Sequence, residues 1–242
     1  MDYGRAGYNR KLDKDCYLRF DRIFTVSDEV KHSFYKVYPE CAEKSFVFHN
    51  LLDVEEIRRK AALPGGFSDD FKGLRILTVG RLTAQKAYDI ALDAMSLLKE
   101  RGEQVRWYVL GEGNQRSLLE EKRKSLGLEE DFLLPGAERN PYPYFAQADI
   151  YVHATRFEGK SIAIQEAQIL GKAVLVSDCS GNREQVKQGV DGLLCELTPE
   201  GICAGIQILI HDPELRSRLG RAAARRSFGE REGLEKLLGL AK

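Results

Sequence analysis

The stretch Ala148-Asp-Ile-Tyr-Val-His153-Ala-Thr-Arg-Phe-Glu158-Gly-Lys-Ser-Ile-Ala-Ile-Gln-Glu166-Ala carries three signals in order. Ala148 to His153 reads as a buried strand that delivers Glu158 to the carboxyl edge of a sheet. A small-residue turn follows, and the apolar residues after it read as the first turns of a helix that carries Glu166. A turn opening onto a helix N-terminus offers free N–H groups and a partial positive charge to an anion. Carboxylates beside such a seat do not hold the phosphate. They are acceptor-only groups and suit the hydroxyls of a ribose or a sugar. The combination points to a nucleotide sugar.

Outward from this stretch, short apolar runs alternate with helical patterns. Strands are predicted at 74–79, 105–110, 132–134, 149–153, 173–177 and 193–195. Helices are predicted at 87–99, 115–125, 143–147, 162–170 and 183–187, with two more between Pro199 and about Phe228. Ile90, Ala94, Leu97 and Leu98 recur at helical spacing, and Gly102 stands where a left-handed residue closes a helix. Strands alternating with helices imply parallel crossover units, so the expected fold is α/β: a doubly wound, Rossmann-like parallel sheet. Ligands of such sheets bind beyond the strands' carboxyl ends. Gly80-Arg81, Gly111-Glu-Gly113, Pro135-Gly136 and the Glu158 loop all fall on that edge. The first fifty residues fit the unit less well: a strand at 22–26, Ser27 as N-cap of a helix at 28–38, a strand at 45–49, then a helix at 54–62.

With 242 residues, 43% hydrophobic and 31% charged, the chain has the composition of an ordinary globular protein. Its formal net charge of zero argues against a nucleic-acid partner. Neither a membrane-spanning apolar run nor a signal-peptide core is visible, so a cytoplasmic location is the expectation. The five cysteines, Cys16, Cys41, Cys179, Cys195 and Cys203, are scattered, odd in number and form no C-x-x-C pair. They suggest neither a disulfide framework nor structural zinc. Gly111-Glu-Gly113 lacks the third glycine of a dinucleotide fingerprint, since Arg116 stands in its place. Asp13-Lys-Asp15 spells a D-x-D metal motif but sits in a polar segment rather than after a strand.

The spacing of Glu158 and Glu166 resembles the Glu-x7-Glu signature of retaining glycosyltransferases of the GT-B fold, family 4. Similar blocks surround it: Val79-Gly-Arg81-Leu-Thr-Ala-Gln-Lys86-Ala-Tyr-Asp89, then Glu166-Ala-Gln-Ile-Leu-Gly171 through Asp178, Gly181 and Glu184-Gln-Val. The likeness runs from about Asp21 to Arg225. It implies that residues 54–242 form the donor-binding half of a GT-B fold, and that 1–53 hold a remnant of the N-terminal acceptor domain and the start of the linker. On that expectation Met1 is an expression start and most of the acceptor domain is missing.

The resemblance implies roles as well. Arg81, Lys86 and Glu158 would be catalytic, the two cations stabilising the departing diphosphate and Glu158 facing the donor sugar. Gly80, Gly111, Gly136, Arg139, Gly159, Lys160, Ser161, Ile162 and Glu166 would bind the donor, Glu166 on the ribose. Arg139 is equally a surface arginine. Lys86-Ala87 replaces the usual Lys-Gly, which is costly if the turn needs a positive φ. Lys160 and Ser161 depart from the common aromatic and small residues in the manner of bacterial surface-polysaccharide transferases. The implied reaction moves a sugar, with retention, from a nucleotide-diphosphate sugar such as a UDP-sugar to a glycan or lipid-linked acceptor. No metal or other cofactor is required by it, and the full-length enzyme could touch the inner face of the membrane peripherally. Three other readings stay open at this point: a non-catalytic nucleotide-sugar-binding subunit needing a partner chain, a nucleotide-sugar epimerase, and an NAD-dependent oxidoreductase.

Overall fold

The computed structural model describes residues 10–228 and Gly239. Two sheets are present among them. The larger has six parallel strands: β3 (Leu74–Val79), β4 (Val105–Leu110), β5 (Phe132–Gly136), β6 (Ile150–His153), β7 (Ala173–Ser177) and β8 (Leu193–Cys195). Their spatial order is β5-β4-β3-β6-β7-β8. The smaller pairs β1 (Ile23–Thr25) with β2 (Ser45–Val47), also parallel.

Ten helices accompany them among the described residues. They are α1 (Arg10–Leu18), α2 (Asp28–Val37), α3 (Val54–Ala61), α4 (Tyr88–Glu100), α5 (Arg116–Ser125), α6 (Tyr142–Gln147), α7 (Ile162–Ile169), α8 (Ser180–Arg183), α9 (Pro199–His211) and α10 (Pro213–Ala223). Parallel strands covered by helices on both faces must be apolar on both, and β7, Ala-Val-Leu-Val-Ser, is buried at all five positions. Two cores result. Met95 and Leu98 of α4 and Ile202 and Ile206 of α9 fill one face against Ile76, Trp107 and Leu175. Phe145 of α6 and Ile164 of α7 fill the other against Leu77, Tyr151 and Val174.

Helix starts follow side-chain chemistry. Ser27, Asp53, Thr198 and Asp212 accept hydrogen bonds from the amides of Val30, Glu56, Gly201 and Leu215. Gly102 adopts φ 75°, the left-handed conformation expected just past α4.

Three local expectations need correction. The helix expected at 183–187 lies earlier, at Ser180–Arg183, because the chain turns into helix directly after β7. Downstream, the Asp191 carboxylate accepts from the Lys187 amide at 2.7 Å and ties off a loop instead. Strand β5 runs on through Pro135 and Gly136, which is tolerated because β5 is the sheet's edge and needs no donor on its outer side. Helix α1 was not expected at all. It is polar, and its place is fixed by Tyr17, whose ring meets Phe34 and Tyr38 at 5.0 Å.

The strand order reverses between β3 and β6: the chain first builds outward to β5, then returns to the other side of β3. Such a switch point leaves a crevice between two diverging loops. The β3–α4 turn and the β6–α7 loop form it here. The β1–β2 sheet stands beside α2, and Phe24, Phe46 and Phe48 cluster on it with Phe24 half-exposed.

Candidate functional site

Lys86 and Glu158 meet across the switch-point crevice. Lys86 ends the 3₁₀ turn Ala84–Lys86 that follows β3, and its ammonium pairs with Glu158 Oε2. Ala87, immediately after, has φ 49° and ψ 34°, the only positive φ outside glycine among the described residues. The turn therefore does require a left-handed residue. Alanine carries that cost, roughly 1–2 kcal/mol, and its methyl group is fully buried in the main core.

Glu158 has a second partner. His153 Nε2 lies 3.0 Å from the same Oε2 oxygen, and Tyr151 Oη lies 3.2 Å from His153 Nδ1. Tyr151 and His153 alternate on one face of β6, so the strand's pleat lines them up toward the loop. Both are buried. Burial, and then the nearby Lys86 charge, push the His153 pKa below its ordinary value despite the opposing pull of Glu158, so the ring is neutral. Glu158 goes the other way: burial alone would raise it, but the His153 hydrogen bond and the Lys86 charge lower it to about 2. At neutral pH the crevice holds an ionised carboxylate and an ammonium against a neutral imidazole.

A second opening lies along β3, β4 and β5. A cleft of about 370 Å³ is lined by Gly80, Arg81, Gly111, Glu112, Ala137 and Glu138, among others. Arg81 is exposed and makes no ion pair within the described residues. Gly111 and Gly113 are needed for close approach rather than for a fingerprint. A Cβ on Gly111 would stand 2.9 Å from the Gly80 carbonyl carbon, and one on Gly113 2.7 Å from that of Leu82. The two glycines thus press the G-x-G turn against the loop that carries Arg81. Gly136 lies at φ 104° on the same rim. Arg139 is exposed and does not line the cleft. Glu166 Oε1 accepts from Tyr142 Oη at 2.9 Å, and its burial raises its pKa.

Gly159, Lys160, Ser161 and Ile162 form the loop into α7. Ser161 is its N-cap residue, yet its hydroxyl makes no capping bond. Gly159 leaves no room on the α2 side, where a Cβ would meet Val30 Cγ2 at 3.0 Å. Lys160 is half-buried and lines a cavity of about 220 Å³ with His49, Gln165, Glu184 and Arg226. Arg81, Lys86, Glu158 and Glu166 are not on that wall. Asp13 and Asp15 lie on α1, and burial pushes the Cys179 thiol up, so it is a packed side chain rather than a thiolate.

Two contributors were not singled out from sequence. Tyr151 was visible only as an apolar strand residue. Gly181 figured only as one residue of a motif, but its backbone packs against the Glu158-Gly159 carbonyls.

A doubly wound half with paired charges at its switch point places the chain among α/β proteins that bind ligands at the carboxyl edge of the sheet. Comparison narrows this: residues 68–226 match the family model for glycosyl transferases group 1, and the chain belongs to that family. It is 32% identical over 239 residues to the N-acetylgalactosamine-N,N'-diacetylbacillosaminyl-diphospho-undecaprenol 4-alpha-N-acetylgalactosaminyltransferase of Campylobacter jejuni, covering 96% of this chain and 64% of the relative. The alpha-D-kanosaminyltransferase of Streptomyces kanamyceticus is 26% identical, over 71% of this chain and 45% of that one. Among solved structures, Anabaena HepE in complex with UDP and glucose superposes with a TM-score of 0.84 at 19% identity, covering 98% of this chain and 67% of that one. The chain therefore spans about two thirds or less of these relatives. Its fold is the expected half of a GT-B glycosyltransferase.

Proposed function

We propose that this chain is the donor-binding half of a retaining, family-4 glycosyltransferase that transfers a sugar from a nucleotide-diphosphate sugar to a hydroxyl of a glycan or lipid-linked acceptor. The observation that carries the reading is the Lys86–Glu158 pair across the switch point of a chain in this family. Lys86 and Arg81 hold the charge that collects on the departing diphosphate, where fixed cations in a closed crevice stabilise a transition state. Glu158 accepts from hydroxyls of the donor sugar and Glu166 from the ribose. The amides of Gly159 to Ile162 hold the distal phosphate. The base lies in the cleft beside Gly80, Gly111 and Gly136. These cations do the work a metal would do, so the reaction needs none.

The acceptor half is supplied from outside residues 54–242. Two observations support this: the share of the relatives that the chain spans, and a two-stranded parallel sheet bearing a half-exposed phenylalanine, which is an incomplete layer by the rule that parallel sheets are covered on both faces. The diphospho-undecaprenol in the name of the Campylobacter relative supports a lipid-linked acceptor. We further propose action in bacterial polysaccharide biosynthesis at the cytoplasmic face of a membrane, by peripheral contact. No helix among the described residues is long and apolar enough to cross a membrane.

Calorimetric titration of the chain with UDP, GDP, ADP and NAD, beside a Glu166→Ala variant, tests the reading. Saturable binding of one nucleoside diphosphate, weakened in the variant and unchanged by a metal chelator, is the expected result. Preference for NAD would overturn it.

A further inference from the structure

Lys86 and His153 converge on one oxygen of Glu158. The Lys86 ammonium is a donor only, and the Glu158 carboxylate is an acceptor only. His153 Nε2 lies 3.0 Å from Glu158 Oε2 and 3.3 Å from Lys86 Nζ, and it can bond to just one of them. The nearer, charged acceptor decides: Nε2 carries the proton and donates to Glu158. Nδ1 is then left with its lone pair, and the Tyr151 hydroxyl at 3.2 Å donates to it. The other acceptor near that hydroxyl, the Val79 carbonyl, is farther away at 3.5 Å. The chain Tyr151 to His153 to Glu158 is thus fully directed, and it is anchored on β6 rather than on the mobile end of a lysine. The titratable groups around the ring are Tyr151 on its own strand, Glu158 on the following loop and Lys86 from the turn after β3.

Under the proposed function, Lys86 has two claims on it. In the free chain it neutralises Glu158; in the donor complex it must face a diphosphate of greater charge. Once Lys86 turns to the phosphate, a carboxylate that followed it would repel the donor, and one left loose would no longer be aimed at the sugar. We propose that His153 is a positioning residue for Glu158: a neutral ring, fixed by the Tyr151 hydroxyl, that keeps the carboxylate in place when a diphosphate draws Lys86 off it. This inference rests on the donor-site reading for its bound state but not for its free state.

The test follows the Glu158 carboxyl by carbon-13 NMR in the chain with and without UDP, in wild type, His153→Leu and His153→Gln. In wild type the carboxyl titrates well below the ordinary carboxylate range in both states. In His153→Leu it rises by about one unit or more in the free chain, and further when UDP is bound and Lys86 is engaged. His153→Gln, which keeps an N–H donor at similar reach, brings most of the shift back. A Leu variant that titrates as wild type in both states, or a folded Gln variant indistinguishable from Leu, would overturn the inference. Nitrogen-15 spectra of the wild-type ring need no variant: the Nε2–H tautomer is expected, and an Nδ1–H tautomer contradicts it. If wild type binds no nucleoside diphosphate, the donor-site reading fails, while the free-state titration still decides the role of His153.

Discussion

Replacing Gly181 with alanine perturbs the site without touching a charged group. A Cβ on Gly181 would lie 2.5 Å from the Gly159 carbonyl oxygen, and nearer still to that of Glu158. Ordinary contact begins at about 3.4 Å, so one backbone must retreat by roughly 0.9 Å or more. On the Gly181 side, α8 follows directly from β7, which is buried at every position. On the other side is a loop that ends in the first turn of α7. The loop yields, and Glu158 moves with it. Overpacking of this size costs about 1–3 kcal/mol of stability. A misplacement near 1 Å can cost about a hundredfold in function when the displaced group positions substrate. Urea unfolding should show a loss in that range with an unchanged slope, since the fold is intact. Titration with the preferred nucleoside diphosphate should show affinity reduced by more than the stability loss alone explains. If Gly181→Ala unfolds within about 0.5 kcal/mol of wild type and binds nucleotide equally, the loop is not braced by α8, and the placement of Glu158 must come from elsewhere.

Removing Lys86 as Lys86→Met leaves Glu158 with only His153 as a partner, and breaking a largely buried pair from one side costs about 3 kcal/mol, measurable by thermal or urea unfolding. Acid should weaken the fold in two stages. His153 is depressed in the folded state, so its contribution is complete above pH 6.5 and is lost as pH falls from there toward its folded value. Glu158, with its pKa lowered from 4.5 to about 2, contributes roughly 3 kcal/mol above pH 4.5 that disappears as pH falls to 2. Urea midpoints between pH 8 and pH 2 should show both stages, and Glu158→Gln should abolish the second. Glu166→Gln should raise the melting temperature, because burial makes its charge unfavourable. The gain should be about 0.5–1 kcal/mol, with weaker nucleotide binding; a destabilised variant would mean that the Tyr142 hydrogen bond outweighs the desolvation.

The alternation of apolar runs with helical patterns was enough to place the strands from Leu74 to Cys195 and the edge that binds ligand, because strands buried on both faces must be written in aliphatic residues. Capping chemistry, Ser27 before a helical pattern, located the start of α2. Residue order also put Lys86 and Glu158 on turns that follow strands, at the same edge of the sheet. What it did not contain was their meeting: 72 positions separate them, and only the strand reversal beside β3 closes that gap. The left-handed Ala87 was legible as a question, and it was answered by a core that buries the methyl group. Lys160 reads from sequence as part of the donor loop, and only the structure shows that it also lines a cavity with His49 and Arg226. Tyr151 was indistinguishable in sequence from a packed strand residue, and His153 was legible only as the end of the strand that leads into the Glu158 loop. Their alternation puts them on one face, but which polar atom waits at the end of that face is a property of the loop that folds over it. Local periodicity fixes direction and burial; the convergence of two side chains, Lys86 and His153, on one carboxylate oxygen is set by the tertiary arrangement of two turns.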